Sequence, residues 1–195
     1  MDEAIGPLRR FVGPDTVFLS IAAGKTIGYF ESKLGAAAGI VRAMPNTPAA
    51  VGRGITVQVP NARVSTEQTT MCEALLSAVG EVVSVDDEGL MDAVTAVSGS
   101  GPAYVFLLIE AMAAAGEKSG LPADLSMRLA RATVAGAGEL ARLSDDEPGQ
   151  LRINVTSPGG TTAAALEVLM ADDGVQPVFD RAIAAATGRS RDLAG

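Results

Sequence analysis

Between Thr16 and Val85 the sequence alternates strand-like and helix-like runs, and from Asp86 onward it carries helical patterns only. That break constrains the fold more than any other feature. Alternating strands and helices build a layered sheet, whereas a succession of helices must bury its apolar stripes against other helices. Thr16–Ile21, Gly39–Met44, Gly54–Val59 and Glu81–Val85 read as strands, the first carrying the β-branched and aromatic run VFLSI. Asp2–Val12 reads as the end of a helix before the turn Gly13–Pro14–Asp15. Thr26–Leu34 reads as a helix closed by Gly35. Glu67–Val79 reads as another, because Met71, Leu75, Leu76 and Val79 recur at helical spacing, with Gly80 as its C-cap.

The second half reads as helices at Gly89–Val97, Pro102–Ser119, Pro122–Leu143, Gly149–Asn154, Thr162–Ala171 and Val175–Arg191. Pro102 and Pro122 fall in first helical turns, where proline is tolerated. The expected fold is α/β followed by all-α, divided at about residue 87 into domains of 1–87 and 88–195. Pro102–Ser119 is apolar nearly all round and must be buried on several sides. The helical half could bury it within itself or in a dimer interface, and the interface is slightly favoured. Gly136–Ala141 matches G-x-G-x-x-A in text only; it lies mid-helix after no strand, so its glycines read as close helix packing.

Composition excludes several chemistries. There is one cysteine, Cys72, and no histidine. An internal disulfide, a His/Cys metal site and a His-based triad are therefore ruled out. Cys72 reads as a buried small hydrophobe. A net charge of -8 disfavours nucleic acid, which is gripped through Lys and Arg. Met1–Arg10 lacks the apolar core of a secretory signal. The apolar run Ala103–Ile109 falls short of the roughly 20 residues that span a bilayer. A cytoplasmic protein with no membrane contact is the expectation.

Three loops differ from ordinary connectors. Ser157–Pro158–Gly159–Gly160–Thr161–Thr162 precedes a helix, where unpaired N–H groups and the helix dipole favour an anion, carboxylate or phosphate. The competing reading is a plain turn with a threonine N-cap. Ser98–Gly99–Ser100–Gly101–Pro102 reads as a helix junction that either lets the backbone approach a ligand closely or simply turns tightly. Ala22–Ala23–Gly24 and Met44–Pro45–Asn46–Thr47–Pro48 follow strands. If those strands are parallel, both lie at the sheet edge where ligands bind in open α/β folds. Small residues there would admit a flat ring, and Asn46 offers amide donors and an acceptor. Nothing ahead of Thr16 supplies the strand, Gly-rich turn and helix that normally open a dinucleotide-binding domain. The chain therefore either does not grip a dinucleotide or starts late.

The stretches SIAAG (Ser20–Gly24), RAMPNTPA (Arg42–Ala49), DAVTAVSGSGPAY (Asp92–Tyr104) and NVTSPGGTTAAAL (Asn154–Leu166) together resemble the pyrroline-5-carboxylate reductase family, in order and spacing, over essentially the whole chain. The resemblance implies an incomplete Rossmann-type domain, its first βαβ part missing, followed by a helical dimerisation domain. It implies NADPH- or NADH-dependent reduction of 1-pyrroline-5-carboxylate to L-proline, in homodimers that can assemble into decamers. By the same resemblance Ser157, Gly160, Thr161 and Thr162 would bind the substrate, a cyclic imino acid. Thr162 would help to protonate its ring nitrogen. Ala22, Ala23, Gly24, Met44, Asn46, Glu88 and Asn154 would lie along the cofactor. The main pyrophosphate-binding segment is absent, which implies a late-recorded start or a truncated product. The alternative is a non-catalytic oligomerisation fragment. Another small-molecule imine or β-hydroxyacid reductase would share the fold class, but the SPGGTT loop argues against it.

Overall fold

The computed structural model describes residues 2–194, as two compact units. The first runs to Pro102 and takes in the chain again from Ile183; the second is Ala103–Ala182.

In the first unit, α1 (Asp2–Ile5) and a 3-10 turn lead to β1 (Val17–Ser20), α2 (Ile27–Leu34), β2 (Gly39–Met44), β3 (Gly54–Pro60), α3 (Thr66–Leu76) and β4 (Gly80–Ser84). Local chemistry sets the ends. Thr26 caps α2 by accepting from the Tyr29 amide. Ser65 and Gln68 form a reciprocal capping box on α3. The sheet order is β1-β2-β3-β4. β1 and β2 are parallel, with Val17 beside Gly39 and Ser20 beside Arg42. β3 runs antiparallel to β2, and β4 parallel to β3. Ile5, Ile27, Phe30, Leu34, Ile40, Val59 and Met91 form one core cluster around β2. Cys72 is buried, as expected, and burial pushes its thiol pKa up.

Among the described residues, the regular elements after Ser84 are all helices, the longer ones being α4 (Met91–Val94), α5 (Gly101–Lys118), α6 (Ala123–Leu143), α7 (Pro148–Asn154), α8 (Thr161–Leu169) and α9 (Val175–Ala194). The expected junction at Ser98–Pro102 is not a turn. Glu88–Lys118 is one helical run of 31 residues, widened to a π-helix at Thr95–Gly99. There the Ser100 amide donates to the Thr95 carbonyl, five residues back, at 2.8 Å. Pro102 has no N–H to continue the ordinary ladder, and a π segment absorbs the gap without breaking the helix. By length and composition alone this run could cross a membrane, which the short run Ala103–Ile109 had not suggested.

The second unit hides little of itself. Among its described residues only Ala113, Ser126 and Ala130 are buried. The Ser126 hydroxyl donates to the Ala113 carbonyl at 2.7 Å, which ties α6 to α5. Phe106 and Leu107 on α5 are 58% and 63% exposed, although the sequence requires their burial. The close packing expected at Gly136 and Gly138 is likewise not found among the described residues: outside the glycine's own helical backbone, nothing lies within 4 Å of a Cβ at either.

Candidate functional site

The candidate residues fall into two groups, one in each unit. In the first unit, parallel pairing puts the carboxyl ends of β1 and β2 on one sheet edge. Ala22–Gly24 and Met44–Asn46 leave the sheet at that edge. The Ala22 amide donates to Ser20 Oγ at 3.3 Å, and the Lys25 amide to the Ala22 carbonyl at 3.4 Å. Gly24 is buried, and Leu193 of α9 lies so close that a Cβ on residue 24 would stand 3.2 Å from it. Asn46 Oδ1 accepts from the Ile55 amide at 3.0 Å, which pins the MPNTP loop to the start of β3. Its acceptor is thus committed, and its two amide hydrogens remain the groups it can offer a ligand.

Glu88 ties these segments together. Its Oε1 accepts from the Ile27 amide and from Arg42 Nη1, both at 2.8 Å. Ile27 follows Gly24 by three residues, and Arg42 precedes Met44 by two. Met44 in turn reaches the π segment, where its methyl group lies 2.6 Å from the position a Cβ on Gly99 would take. Ala22, Ala23, Gly24, Met44, Asn46 and Glu88 therefore stand on segments linked to one another within this unit. Sequence reasoning assigned no role to Arg42. The signal was available, because a lone arginine in the buried strand GIVRAM must find a carboxylate.

In the second unit, Ser157–Gly160 is a β-turn in which the Gly160 amide donates to the Ser157 carbonyl at 3.0 Å. Pro158 takes its second position and Gly159, at φ 67°, its third. This is type II geometry, which requires a residue able to hold positive φ. Gly160 is the N-cap of α8 and brings no side-chain cap. The threonine N-cap alternative is thus not what forms: Thr161 is the first residue of α8. The first ladder bond runs from the Ala164 amide to the Gly160 carbonyl at 3.2 Å. The amides of Thr161, Thr162 and Ala163 precede it and point out of the helix start, at its positive end. Thr162 is half-buried. Asn154 ends α7; its Oδ1 accepts from Gln150 Nε2 at 2.8 Å, and its Nδ2 donates to Asp146 Oδ2 at 3.2 Å. An open cleft of about 370 Å³ beside Leu169, Val178 and Phe179 contains none of the candidate residues.

Comparison with known proteins places the chain in a family. The family model described as "Pyrroline-5-carboxylate reductase dimerisation" matches residues 88–193. A pyrroline-5-carboxylate reductase of Pseudomonas aeruginosa is 47% identical over 98% of this chain and 69% of its own length. The chain spans 69%, 57% and 66% of the length of the reductases of Pseudomonas aeruginosa, Synechocystis sp. and Mycobacterium tuberculosis. Among solved structures, a pyrroline-5-carboxylate reductase of Coxiella burnetii superposes with a TM-score of 0.94 at 38% identity, covering 100% of this chain and 72% of the other. A pyrroline carboxylate reductase of Plasmodium falciparum with NADP bound superposes at 0.86 with 32% identity, covering 100% and 73%. The α/β sheet followed by helices is therefore that of a Rossmann-type part with a helical dimerisation part, and the chain belongs to the pyrroline-5-carboxylate reductase family.

Proposed function

We propose that the chain carries the substrate side, and part of the cofactor side, of an NAD(P)H-dependent reductase that converts 1-pyrroline-5-carboxylate to L-proline. The observation that carries this is the start of α8, a helix N-terminus that no side chain caps. The backbone at Gly160, Thr161 and Thr162 holds the substrate carboxylate there, with Ser157 beside it. Thr162 Oγ1 stands by the ring nitrogen and assists its protonation. A protonated cyclic imine is electrophilic at carbon, and NADPH or NADH, when bound, supplies the hydride. The residues that would line the cofactor are Ala22, Ala23, Gly24, Met44, Asn46, Glu88 and Asn154. The small side chains at 22–24 and the amide hydrogens of Asn46 suit a flat, carboxamide-bearing ring.

The assignment divides the chain at about residue 87 into part of a dinucleotide-binding domain and a dimerisation and substrate domain. It takes the partner at α5 and α6 to be a second copy of the chain, in a homodimer able to grow to a decamer. It places the protein in the cytoplasm, without nucleic acid or membrane. A second reading, an oligomerisation module without turnover, draws on the exposed apolar face of α5 and the greater length of the relatives. Oxidation of NADPH or NADH by the purified chain, with and without the imino acid, separates the two. Substrate-dependent oxidation supports the reductase; a folded dimer with no such oxidation supports the module.

A further inference from the structure

We infer that Arg42 is a positioning residue for the cofactor side of the site, acting through Glu88; this rests on the reductase reading above. Arg42 is the one charged residue among those buried in the described chain, at 5% exposure. Its neighbours in β2 are apolar and buried as well. An apolar residue of similar size would pack there without the cost of desolvating a charge, so stability alone gives no reason for a guanidinium. What the guanidinium does is hold a carboxylate. Arg42 Nη1 donates to Glu88 Oε1 at 2.8 Å, and the same oxygen accepts the Ile27 amide at 2.8 Å.

Ile27 opens α2, and its N–H has no acceptor inside the helix. Thr26 Oγ1 takes the Tyr29 amide instead. Glu88 thus supplies the partner for the first amide of α2 and brings negative charge to the positive end of the helix. Three segments meet at one oxygen: the start of α2 at Ile27, three residues after the Ala22–Gly24 loop; β2 at Arg42, two residues before Met44; and the head of the Glu88–Lys118 helix. Without Arg42 the Glu88 carboxylate, 29% exposed, is free to turn to water. The α2 amide then loses its acceptor, and the 22–24 loop loses its anchor. Asn46 has its own tie to Ile55, so the β2 loop should move less than the β1 loop.

The test compares the wild-type chain with Arg42→Met and Arg42→Lys, using NADPH and the imino acid as probes. The methionine keeps most of the volume. The lysine keeps a single charged donor and can restore the one bond that Nη1 makes. Amide hydrogen exchange followed residue by residue is the first readout. Ile27 should exchange at least about tenfold faster in Arg42→Met, as for loss of one hydrogen bond, and should recover in Arg42→Lys. Amides of β3 and β4 should not change. The second readout is steady-state kinetics: KM for NADPH should rise about fivefold or more in Arg42→Met while KM for the imino acid stays constant. Unchanged Ile27 exchange in Arg42→Met overturns the inference. So does an equal rise of both KM values, or a lowered melting temperature with both KM values intact. If Arg42→Met does not fold, Arg42→Lys with unaltered exchange and KM supports the inference, and Arg42→Lys with both KM values raised equally overturns it. If the wild type shows no turnover, the reductase reading fails, and Ile27 exchange alone decides the role of Arg42.

Discussion

The methyl group of Met44 occupies the space that a side chain on Gly99 would need, 2.6 Å from the position of its Cβ. This contact joins the end of β2 to the π segment and brings two sequence motifs, RAMPNTPA and SGSGPAY, against each other. Gly99→Ala should push Met44 aside. The thioether is flexible, and alanine is favoured over glycine in a helix by up to about 1 kcal/mol, so stability should change by less than about 1 kcal/mol. The displacement should appear instead as a raised KM for NAD(P)H, measured beside a thermal unfolding curve that scarcely moves.

Gly80 is where the backbone tolerates least. It holds φ 151°, and a Cβ there would run into the carbonyl and amide of Gly54 at the first rung of the β3–β4 pairing. No side chain can swing away to relieve a clash with backbone. Gly80→Ala should cost more than about 2 kcal/mol, read from the midpoint of urea unfolding. A variant as stable as the wild type would show that the β3–β4 ladder shifts freely.

The exposed face of α5 predicts association. Phe106→Asp places a charge on a helix that buries almost nothing within its own chain. Sedimentation should show the wild type as a dimer or larger, and the variant as monomer. Equal sedimentation of the two would place the interface elsewhere.

Cys72 predicts a pH dependence. Burial raises its pKa above the ordinary thiol value, so in this range the folded chain binds the proton more tightly than the unfolded one. Its contribution to stability is full below the unfolded thiol pKa, about 8.5, and declines as pH rises above that value toward the folded pKa. Cys72→Ala removes this decline, at the cost of a small cavity. Unfolding midpoints of the two proteins should therefore converge as pH is raised past about 9, and a thiol reagent should label Cys72 only on unfolding.

Much of the fold was legible because its boundaries are chemical. Thr26, Gly35 and the Pro45–Pro48 loop mark ends wherever they occur, and the apolar spacing in between distinguishes strand from helix. The direction of β3 was not legible, because a strand's residue pattern does not say which way its partner runs. The continuous helix through Ser98–Pro102 was missed because glycine, serine and proline together signal a break, while a π-turn satisfies the same residues. At the candidate site, the turn at Ser157–Gly160 was readable from Pro158 and Gly159. The tie between Arg42 and Glu88 joins residues far apart in sequence, so only the fold reveals it.

The most direct test of the account is turnover by the chain and by Thr162→Val. NAD(P)H oxidation that depends on the imino acid should occur with the wild type. It should fall in kcat by up to about 10²-fold in Thr162→Val if the hydroxyl assists protonation, with the oligomeric state unchanged. Unaltered kcat in the variant would remove Thr162 from the chemistry. Absence of oxidation by a folded wild-type chain would contradict the reductase reading itself.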